Sequence, residues 1–283
     1  MIVVKLMGGM GNQMFQYAFG KLIASKYNKE LILDLSFLLN KNQEPGFVYR
    51  DYDLGIFKLD VKTVNHFDLD SSFIMLDEPD EHPYVPEFLD LYKYIPKDKN
   101  FYISGYFQKH EYVKHIREQL LEDFKLNYSL NDSSKKLLKD IQDSNSVCVN
   151  IRRTDYITNK NALEFHGVYG TEYINKAVIE LNKKTSNPKY FIFSDDMEWC
   201  EENLKFEHDY TFVSHDYKGL KFGQYLYLMS ACKNFIIPNS SFAWWAAWLN
   251  DNEEKIVITP KKWFKDGAMR TEGLKPETWI NLE

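Results

Sequence analysis

The chain has 283 residues, of which 44% are hydrophobic, 16% aromatic and 27% charged, and its formal net charge is −6. This length and composition exclude a largely disordered chain and provide enough apolar side chains for two packed domains. The negative net charge excludes a general affinity for nucleic acid or an anionic membrane, which requires a basic surface, so any phosphate-binding site must be local.

The beginning of the chain predicts a βαβ unit. The apolar run IVVKLM at residues 2–7 is followed by the glycine turn GGMGN, and apolar side chains then recur at helical spacing as far as Ile23. An extended pattern, LILDL, resumes at residues 31–35. βαβ units imply a parallel sheet with right-handed crossovers.

The middle of the first half has a weaker pattern. Residues 40–99 contain stretches rich in Asp and Pro that predict long loops, with one short element near YDLGIFKL. The segment NFYISGYFQ predicts a strand that ends at Gly105, and a helix with one apolar face is expected from Glu111 to Phe124.

A polar stretch at residues 129–146 has the composition of a connection between domains, and Ser133 or Ser134 is expected to cap a short helix within it. We expect the domain boundary between Asn127 and Ser146 and place the domains at residues 1–140 and 141–283. Three strand–loop–helix units follow, SVCVNI–RRTDY, YFIF–SDDMEWCEENL and NFIIP–NSSFAWWAAWL, and KIVITP is a further strand. The predicted fold class is α/β, with two Rossmann-like domains and a ligand-binding cleft between them at the carboxyl ends of the strands.

The cysteines and the hydropathy pattern indicate the compartment. Cys148, Cys200 and Cys232 stand far apart and form no C-x-x-C motif, which argues against a disulfide framework and a structural zinc site. The opening MIVVKLMGG is too short for a signal-peptide core, and no stretch approaches the ~18 apolar residues of a spanning helix. We therefore expect a cytoplasmic protein without a transmembrane segment. The basic segment PKKWFKDGAMR suits either a peripheral contact with the inner face of the membrane or a solvated loop.

Two arginines directly follow the apolar strand SVCVNI. Successive side chains of an extended chain point to opposite faces, so we expect one of Arg152 and Arg153 to face a ligand and the other to be structural. A planar guanidinium donates in parallel to two oxygens of a diphosphate, and we favour Arg152 for this role. The alternative is that both arginines form salt bridges, with Asp155 as a partner.

A helix N-terminus follows the strand NFIIP. A helix capped by Asn239, Ser240 or Ser241 would present N–H groups, hydroxyls and the positive end of its dipole to an anion. An ordinary capped helix has the same sequence signature. The run FAWWAAWL, which begins at Phe242, is apolar on all sides and is predicted to be buried.

Two further strand ends allow two interpretations each. Asp195, after the strand YFIF, suits either a nucleoside base or ribose hydroxyl, or a capping box with Glu198 for the next helix. The turn GGMGNQ resembles a dinucleotide-binding loop but lacks the G-x-G-x-x-G spacing, and Asp34 is the nearest acidic candidate for a ribose.

The sequence also contains candidates for a metal site and for a general base. D-x-D strings at residues 51–53 and 68–70 lie in the weakly patterned region, where chance composition explains them better than a metal-bound nucleotide sugar. Because arginine and a helix dipole can neutralise a diphosphate, we predict no metal. Glu164 and His166 lie a short loop beyond RRTDY, and the near-neutral pKa of a histidine suits a base.

Taken together, these motifs resemble the α-1,2-fucosyltransferases of glycosyltransferase family 11. Each motif is weak alone, whereas their order along most of the chain is specific. The similar segments are GGMGNQMFQYAFGKLIA at 8–24, RDYDLGIFKL at 50–59, GYFQ at 105–108, IRRTDY at 151–156, HG at 166–167, FSDDMEWC at 193–200 and NSSFAWWAAWL at 239–249.

The resemblance implies a GT-B type architecture and an inverting galactoside α-1,2-fucosyltransferase that requires no metal or other cofactor. GDP-fucose would be the donor, held by the second domain, and the acceptor, on the side of the first domain, would be a galactose O2 of an oligosaccharide or lipid-linked glycan. Arg152 would act on the diphosphate, and Asp155, Glu164 and His166 are candidates for the base. The implied donor-binding residues are Gly9, Gly11, Asn12, Gln13, Asn150, Arg152, Arg153, Asp195, Asn239, Ser240, Ser241 and Phe242.

The chain departs from the family pattern at Asn150 and Tyr225, where relatives usually carry His and Asp, and near Asn234, where they carry His. Asn150 can donate a hydrogen bond to a donor oxygen but cannot take a proton. Two alternatives therefore stay open. One is a transferase of the same fold that uses another nucleotide sugar, because a phosphate site does not distinguish sugar rings; the other is a catalytically inert relative that binds a nucleotide or a glycan.

Overall fold

A computed structural model describes residues 1–42, 48–78, 98–265 and 271–283. It divides the chain into two compact units, Met1–Asn127 with Met269–Pro276, and Tyr128–Ala268 with Glu277–Glu283. The division precedes the helix Asp132–Asp143, whereas the expected boundary at 140/141 falls within it. This helix belongs to the second unit because it buries Leu137 and Ile141 and contacts the helix Gly223–Ser230.

The first unit contains a parallel sheet of five strands. They are β1 (Ile2–Lys5), β2 (Leu31–Asp34), β3 (Lys62–Val64), β4 (Phe73–Asp77) and β5 (Asn100–Ser104), and their order in the sheet is β3-β2-β1-β5-β4. At its centre, Val3 lies opposite Ile32 on one side and Tyr102 on the other. The apolar runs of β1, β2 and β5 are largely buried, as expected of parallel strands covered on both faces.

The main helix of the first unit, Met10–Tyr27, packs on β1 and β2 and ends at Asn28, whose φ of 51° is left-handed. The predicted continuous helix over 111–124 is wrong. Ile116 adopts φ −127° and ψ 29°, which interrupts the helical hydrogen bonding. The remaining helices are the α-helices Ser36–Leu39, His110–Val113 and Arg117–Asp123, and the 3₁₀ turns Leu54–Ile56 and Lys114–Ile116.

The second unit contains a parallel sheet of six strands. They are β6 (Ser146–Ile151), β7 (Lys189–Ser194), β8 (Tyr210–Phe212), β9 (Asn234–Ile236), β10 (Val257–Pro260) and β11 (Ile280–Leu282), and their order in the sheet is β11-β10-β9-β6-β7-β8. From β6 the chain proceeds to β7 and β8 on one side, and it then returns to place β9, β10 and β11 on the other side. The strand order therefore reverses between β6 and β9.

The helices of the second unit cover this sheet. Residues Ala243–Trp248 of the helix Ser241–Leu249 are buried, which confirms the prediction for FAWWAAWL. Tyr173, Ile174 and Leu181 pack into the core formed with β6, β7, β9 and β10. Besides Ser241–Leu249 and Asp132–Asp143, the described part of the unit has the helices Thr154–Thr158, Lys160–His166, Thr171–Asn182, Met197–Asn203 and Gly223–Ser230, with 3₁₀ turns at His215–Tyr217 and Leu220–Phe222.

Two predicted helix caps differ from the observed ones. Asn131 caps the helix Asp132–Asp143 by accepting from Ser134 N, so neither Ser133 nor Ser134 is the cap. Asp196 caps the helix Met197–Asn203, so Asp195 is not the cap. Across the described ranges, no helix is both long and apolar enough to cross a membrane.

Candidate functional site

The reversal of strand order in the second unit positions the candidate site. Ligands of open α/β sheets bind at the carboxyl ends of the strands where the order reverses. Here those strands are β6 and β9, which pair directly with Val149 opposite Ile236. Arg152 and Arg153 follow β6, and Ser240 follows β9. A cationic segment and a helix start thus lie at one edge of the sheet.

Arg152 is held in place but is still partly open to solvent. Its Nη1 lies 3.1 Å from the Asp195 carboxylate, and 29% of its side chain is exposed. A guanidinium presents five N–H donors in one plane, so a carboxylate on one side fixes the direction in which the group points. This geometry suits the binding of an anion at the strand ends.

Arg153 has different surroundings. Its Nε lies 3.3 Å from Asp196 Oδ2, and its guanidinium carbon is 3.7 Å from the centre of the Trp199 ring. Asp196 in turn accepts from Trp199 N as the helix cap. The two arginines therefore pair with two consecutive aspartates. The salt-bridge partners are Asp195 and Asp196, while the side chain of Asp155, the partner expected from the sequence, lies outside the described residues.

The Asp195 carboxylate is bound within the protein. Oδ1 accepts from Arg153 N at 2.9 Å, and Oδ2 accepts from Thr154 N at 3.1 Å and from Thr154 Oγ1 at 2.5 Å. With Arg152, four donors converge on one carboxylate. Both oxygens of the residue predicted to bind the nucleoside are therefore engaged by the segment after β6. The Thr154 contact was not predicted, although RRTDY contained the residue.

The helix after β9 begins as the sequence predicted, with Ser240 as its N-cap. Ser240 Oγ accepts from Ala243 N at 3.4 Å, and the side chain is 7% exposed. Ser241 and Phe242 form the first turn and are partly buried. The first amides of a helix carry its positive partial charge, so this turn is a favourable place for a phosphate.

Asn239 connects this turn to two other segments. Its buried Nδ2 donates to the carbonyl oxygens of His166 and Trp263, at 2.9 Å each. The amide nitrogen that was expected to contact the donor therefore fixes the backbone at His166 beside the helix start. The His166 ring is partly buried and packs against Phe165 and Phe264, with ring centres 4.7 Å and 5.6 Å apart.

The other candidates for the base are less well placed by the described contacts. Glu164 lies on the helix Lys160–His166 with 65% of its side chain exposed and forms a 3.9 Å ion pair with Lys160. Asp155 is in the helix Thr154–Thr158, and its side chain is not among those the structure describes.

Asn150 faces the interior beside β7. Its Nδ2 donates to Phe193 O at 3.1 Å and lies 4.0 Å from Met229 Sδ. Tyr225, on the same helix as Met229, packs edge-on against the Phe193 ring at 5.2 Å and donates a hydrogen bond to Val213 O. Asn150 and Tyr225, two of the three positions that depart from the family pattern, thus both contact Phe193, and Tyr225 also packs edge-on against the His215 ring.

In the first unit, the glycine turn after β1 carries the remaining candidates. Gly9 is the N-cap residue of the helix Met10–Tyr27, and Gly11 is buried in its first turn. Asn12 Oδ1 accepts from Gln108 Nε2 at 2.8 Å. The Gln13 side chain is fully buried, donates to Gly8 O and Asp51 O, and accepts from Asp53 N. Gln13 therefore fixes the turn to the segment 51–53.

Further residues of the site region were not singled out from the sequence. His215 Nε2 lies 2.8 Å from Ser194 O at the end of β7, and Trp199 supports Arg153. Neither has a local sequence signal, because each acts through a contact with a residue that is distant in the sequence. The described ranges contain no group of three or more His, Cys, Asp or Glu side chains arranged to hold a metal ion.

Comparisons with known proteins agree on one family. The model of glycosyl transferase family 11 matches residues 1–283. Two Escherichia coli proteins are each 32% identical: the O-antigen biosynthesis glycosyltransferase WbnK, over 98% of this chain and 99% of the relative, and an alpha-1,2-colitosyltransferase, over 100% and 99%. The galactoside alpha-(1,2)-fucosyltransferase 2 of Hylobates lar is 23% identical over 89% of this chain and 70% of its own length.

Solved structures show the same fold. POFUT1 in complex with GDP has a TM-score of 0.51 and 13% identity, covering 90% of this chain and 95% of that one. A mutant of Arabidopsis thaliana FUT1 in complex with GDP has a TM-score of 0.51 and 9% identity, covering 100% and 76%. With the two parallel sheets, these likenesses confirm the predicted α/β fold of GT-B type.

Proposed function

Since the chain belongs to glycosyl transferase family 11, we propose that it transfers fucose from GDP-fucose to O2 of a galactose in an oligosaccharide or lipid-linked glycan. The observation that carries this proposal is that Arg152 and the Ser240 helix start follow two adjacent strands, β6 and β9, at the reversal of strand order. A bidentate cation and a row of helix amides are the groups that a departing diphosphate requires. The alpha-(1,2) relatives support the linkage.

The proposed reaction is a single displacement with inversion. The acceptor oxygen forms a bond to C1 of fucose while the bond between C1 and the diphosphate oxygen breaks, and GDP leaves with the bonding electron pair. As C1 acquires oxocarbenium character, negative charge grows on the diphosphate. Arg152 and the first amides of the helix Ser241–Leu249 would stabilise this charge, so the proposal includes no metal.

The proton of the acceptor hydroxyl needs a base. Among Asp155, Glu164 and His166 we favour His166. Its backbone carbonyl accepts a hydrogen bond from the side chain of Asn239, the residue directly before the Ser240 cap. Glu164 is exposed on its helix and forms an ion pair with Lys160. A histidine base predicts a rate that rises with pH as the imidazole loses its proton.

In the first unit, the glycine turn at Gly9 and Gly11 is proposed to face the substrates, and Asn12, whose Oδ1 accepts from Gln108 Nε2, is assigned a positioning role. Gln13 is assigned a positioning role, because its amide holds the turn and the segment 51–53 together. In the second unit, Asn150, Arg153 and Asn239 are likewise assigned to positioning, since their polar groups contact the protein.

A second candidate is the transfer of colitose at the same site. The observation in its favour is the alpha-1,2-colitosyltransferase that is 32% identical over the whole chain. The phosphate groups of the two donors would meet the same Arg152, so the two candidates differ only at the sugar. They are distinguished by supplying GDP-linked fucose and GDP-linked colitose in parallel.

The proposal is tested by measuring GDP release from each donor with a panel of galactosides, using galactosides methylated at O2 as matched controls. We expect release from GDP-fucose that rises with a free O2 and not with the methylated acceptor. Faster release from GDP-colitose would favour the second candidate. Tight GDP binding without turnover on any acceptor would indicate an inert relative, and no GDP binding would contradict a GDP-sugar site.

A further inference from the structure

We infer that Asp195 is a positioning residue that aims Arg152 at the donor diphosphate and is not itself a ligand of the nucleoside. This inference rests on the proposed function, because it assigns the phosphate-binding role to Arg152. It differs from the assignment suggested by the family resemblance. The reason is the number of protein donors that already end on this carboxylate.

The contacts cross from one strand to its neighbour. Asp195 follows β7, and its four donors come from the three residues after β6, with Ile151 opposite Ser194 in the preceding register. The distances to the donors are 2.9 Å from Arg153 N, 3.1 Å from Thr154 N, 2.5 Å from Thr154 Oγ1 and 3.1 Å from Arg152 Nη1. The side chain is 16% exposed, so water competes little for these bonds. Oδ2 receives three of the four donors, so a nucleoside hydroxyl would have to share Oδ1 with Arg153 N or displace a donor from Oδ2.

The same carboxylate acts on a helix start. Thr154 is the first residue of the helix Thr154–Thr158, and the amides of Arg153 and Thr154 precede its first intrahelical bonds. Asp195 therefore serves as a cap supplied by the adjacent strand, in the way that an N-cap carboxylate normally serves its own helix. One carboxylate holds both the amides of Arg153 and Thr154 and the Arg152 guanidinium. The direction of the Arg152 side chain therefore depends on whether residues 152–154 keep this conformation.

The adjacent aspartate provides a matched control. Asp196 has the same charge and also pairs with an arginine, but that arginine is Arg153, which is stacked on Trp199. Removing the Asp196 charge should affect the helix Met197–Asn203 without redirecting Arg152. Comparing substitutions of Asp195 and Asp196 therefore distinguishes a general effect of charge from a loss of the positioning of Arg152.

Removal of Asp195 is expected to have two opposing effects on the binding of an anion. It removes a negative charge beside Arg152, which would strengthen GDP binding, and it releases the segment 152–154, which would weaken it. We expect the second effect to be larger, because three hydrogen bonds and an ion pair are lost together, whereas one part-exposed charge contributes a screened interaction.

The test is a double-mutant cycle with GDP as the probe, measured by calorimetry on the full chain. The proteins are the wild type, Asp195→Ala, Arg152→Ala, the double variant and the control Asp196→Asn, each with its melting temperature. We expect Asp195→Ala to weaken GDP binding about tenfold in the wild-type background and less than about twofold in the Arg152→Ala background, since the effect acts through Arg152. Asp196→Asn should stay within about twofold of the wild type.

Asp195→Asn keeps an oxygen acceptor for Arg153 N and lacks the charge, so it should bind GDP with an affinity between those of the wild type and Asp195→Ala. If Asp195→Ala does not fold, the cycle is run with Asp195→Asn. An equal loss of affinity in both backgrounds, or tighter binding without Asp195, would overturn the inference while leaving a GDP site intact. Absence of GDP binding by the wild type would instead contradict the proposed function.

Discussion

Arg152 carries most of the proposed chemistry because it combines a fixed direction with access to solvent. Its neighbour Arg153 has the same charge but is 15% exposed and lies against Trp199 and Asp196. Alternation along an extended chain sends the two side chains to different surroundings. We propose that Arg152, the more exposed of the two, is the one that contacts a ligand, and this difference leads to two predictions.

Replacing Arg152 by Ala should abolish most of the activity and leave the fold intact. We expect kcat/KM for the donor to fall by roughly 100- to 1,000-fold, the typical loss for one pre-aimed donor to a developing charge. Arg152→Lys keeps the charge but not the bidentate geometry and should recover only part of this loss. Steady-state kinetics and thermal melts measure both effects, and normal turnover by Arg152→Ala would show that the diphosphate binds elsewhere.

Replacing Arg153 by Ala should mainly reduce stability. The variant loses the stacking on Trp199 and leaves Asp196 without its paired charge, so we expect the free energy of unfolding to fall by about 1–3 kcal/mol. Arg152→Ala is the control, with an expected loss of less than about 1 kcal/mol, because it loses no ring stacking and Asp195 keeps its three hydrogen bonds from Arg153 N, Thr154 N and Thr154 Oγ1. Urea unfolding gives the free energy of unfolding of both variants. A greater loss for Arg152→Ala than for Arg153→Ala would show that Arg152 is the structural arginine.

Alternation predicted different surroundings for the two arginines, and the alternative that both form salt bridges is what the structure shows, although with partners that were not predicted. A ligand on Arg152 stays a prediction. Alternation is a local property and is visible in NIRRTDY. The pairing with Asp195 and Asp196 depends on the parallel register of β6 with β7, which joins residues more than forty positions apart. The hydrogen bonds that assign Asn239 and Gln13 to positioning roles are equally non-local, so the resemblance alone suggested donor contacts for both.

Among the helices, Ser241–Leu249 contributes both to the core and to the proposed site. Its middle is buried on all sides, which holds the helix rigidly, and its first turn lies at the end of β9. The N-cap Ser240 therefore couples the stability of the helix to the position of the amides that would meet the phosphate.

A pair of substitutions at the cap separates these two contributions. Ser240→Ala removes the acceptor for Ala243 N and should lower the free energy of unfolding by about 1 kcal/mol, with weaker GDP binding. Ser240→Asp keeps a cap acceptor but places a negative charge at the phosphate position, so GDP binding should be largely lost, while the free energy of unfolding should change little. Unfolding and GDP titration are measured on both. Unchanged GDP binding by Ser240→Asp would place the phosphate away from this helix.

Helices and strands with strong local patterns were the predictable ones. The apolar run of β6 and the all-apolar helix after β9 were evident from the sequence, because burial dictates their composition. The short strands β3 and β4 lie in the region expected to form loops. Their residues are exposed or only partly buried, so these strands exist through pairing with β2 and β5 and leave little hydrophobic signal.

For the whole chain, two parallel α/β units could be predicted, whereas their exact composition could not. The C-terminal segment supplies Met269–Pro276 to the first unit and then Glu277–Glu283, including β11, to the second. Gly273, with φ 73°, and Pro276 mark a turn near this exchange, but they do not indicate to which unit each piece belongs. Strand order was also not predictable, and it is the order that puts β6 beside β9 and brings Arg152 and Ser240 to one edge.

Buried tyrosines predict how the stability of the chain depends on pH. Burial raises the pKa of Tyr173 well above its usual range, and its hydroxyl donates to Ile237 O at 2.7 Å. Above pH ~10 the unfolded chain loses the tyrosine proton while the folded chain keeps it, so the free energy of unfolding falls as pH rises. Burial also raises the pKa of Tyr17, Tyr102 and Tyr225, which act in the same direction.

Tyr173→Phe isolates one of these contributions. The variant should be less stable by about 1 kcal/mol at pH 8, because a buried hydrogen bond is lost, and should lose less stability than the wild type between pH 9 and 11. Urea unfolding at fixed ionic strength across this pH range provides the measurement. Parallel pH curves for the two proteins would show that Tyr173 does not titrate on unfolding.

We propose that this chain uses a GDP-linked fucose to modify O2 of a galactoside. To test this, the purified protein is incubated with GDP-fucose and a galactoside, and the linkage of the isolated product is determined by NMR. We expect a product with an α-linked fucose on O2, formed together with an equal amount of GDP and lost in Arg152→Ala. A fucosylated product at another position, or no product from a folded protein with any galactoside, would show that the proposed reaction is wrong.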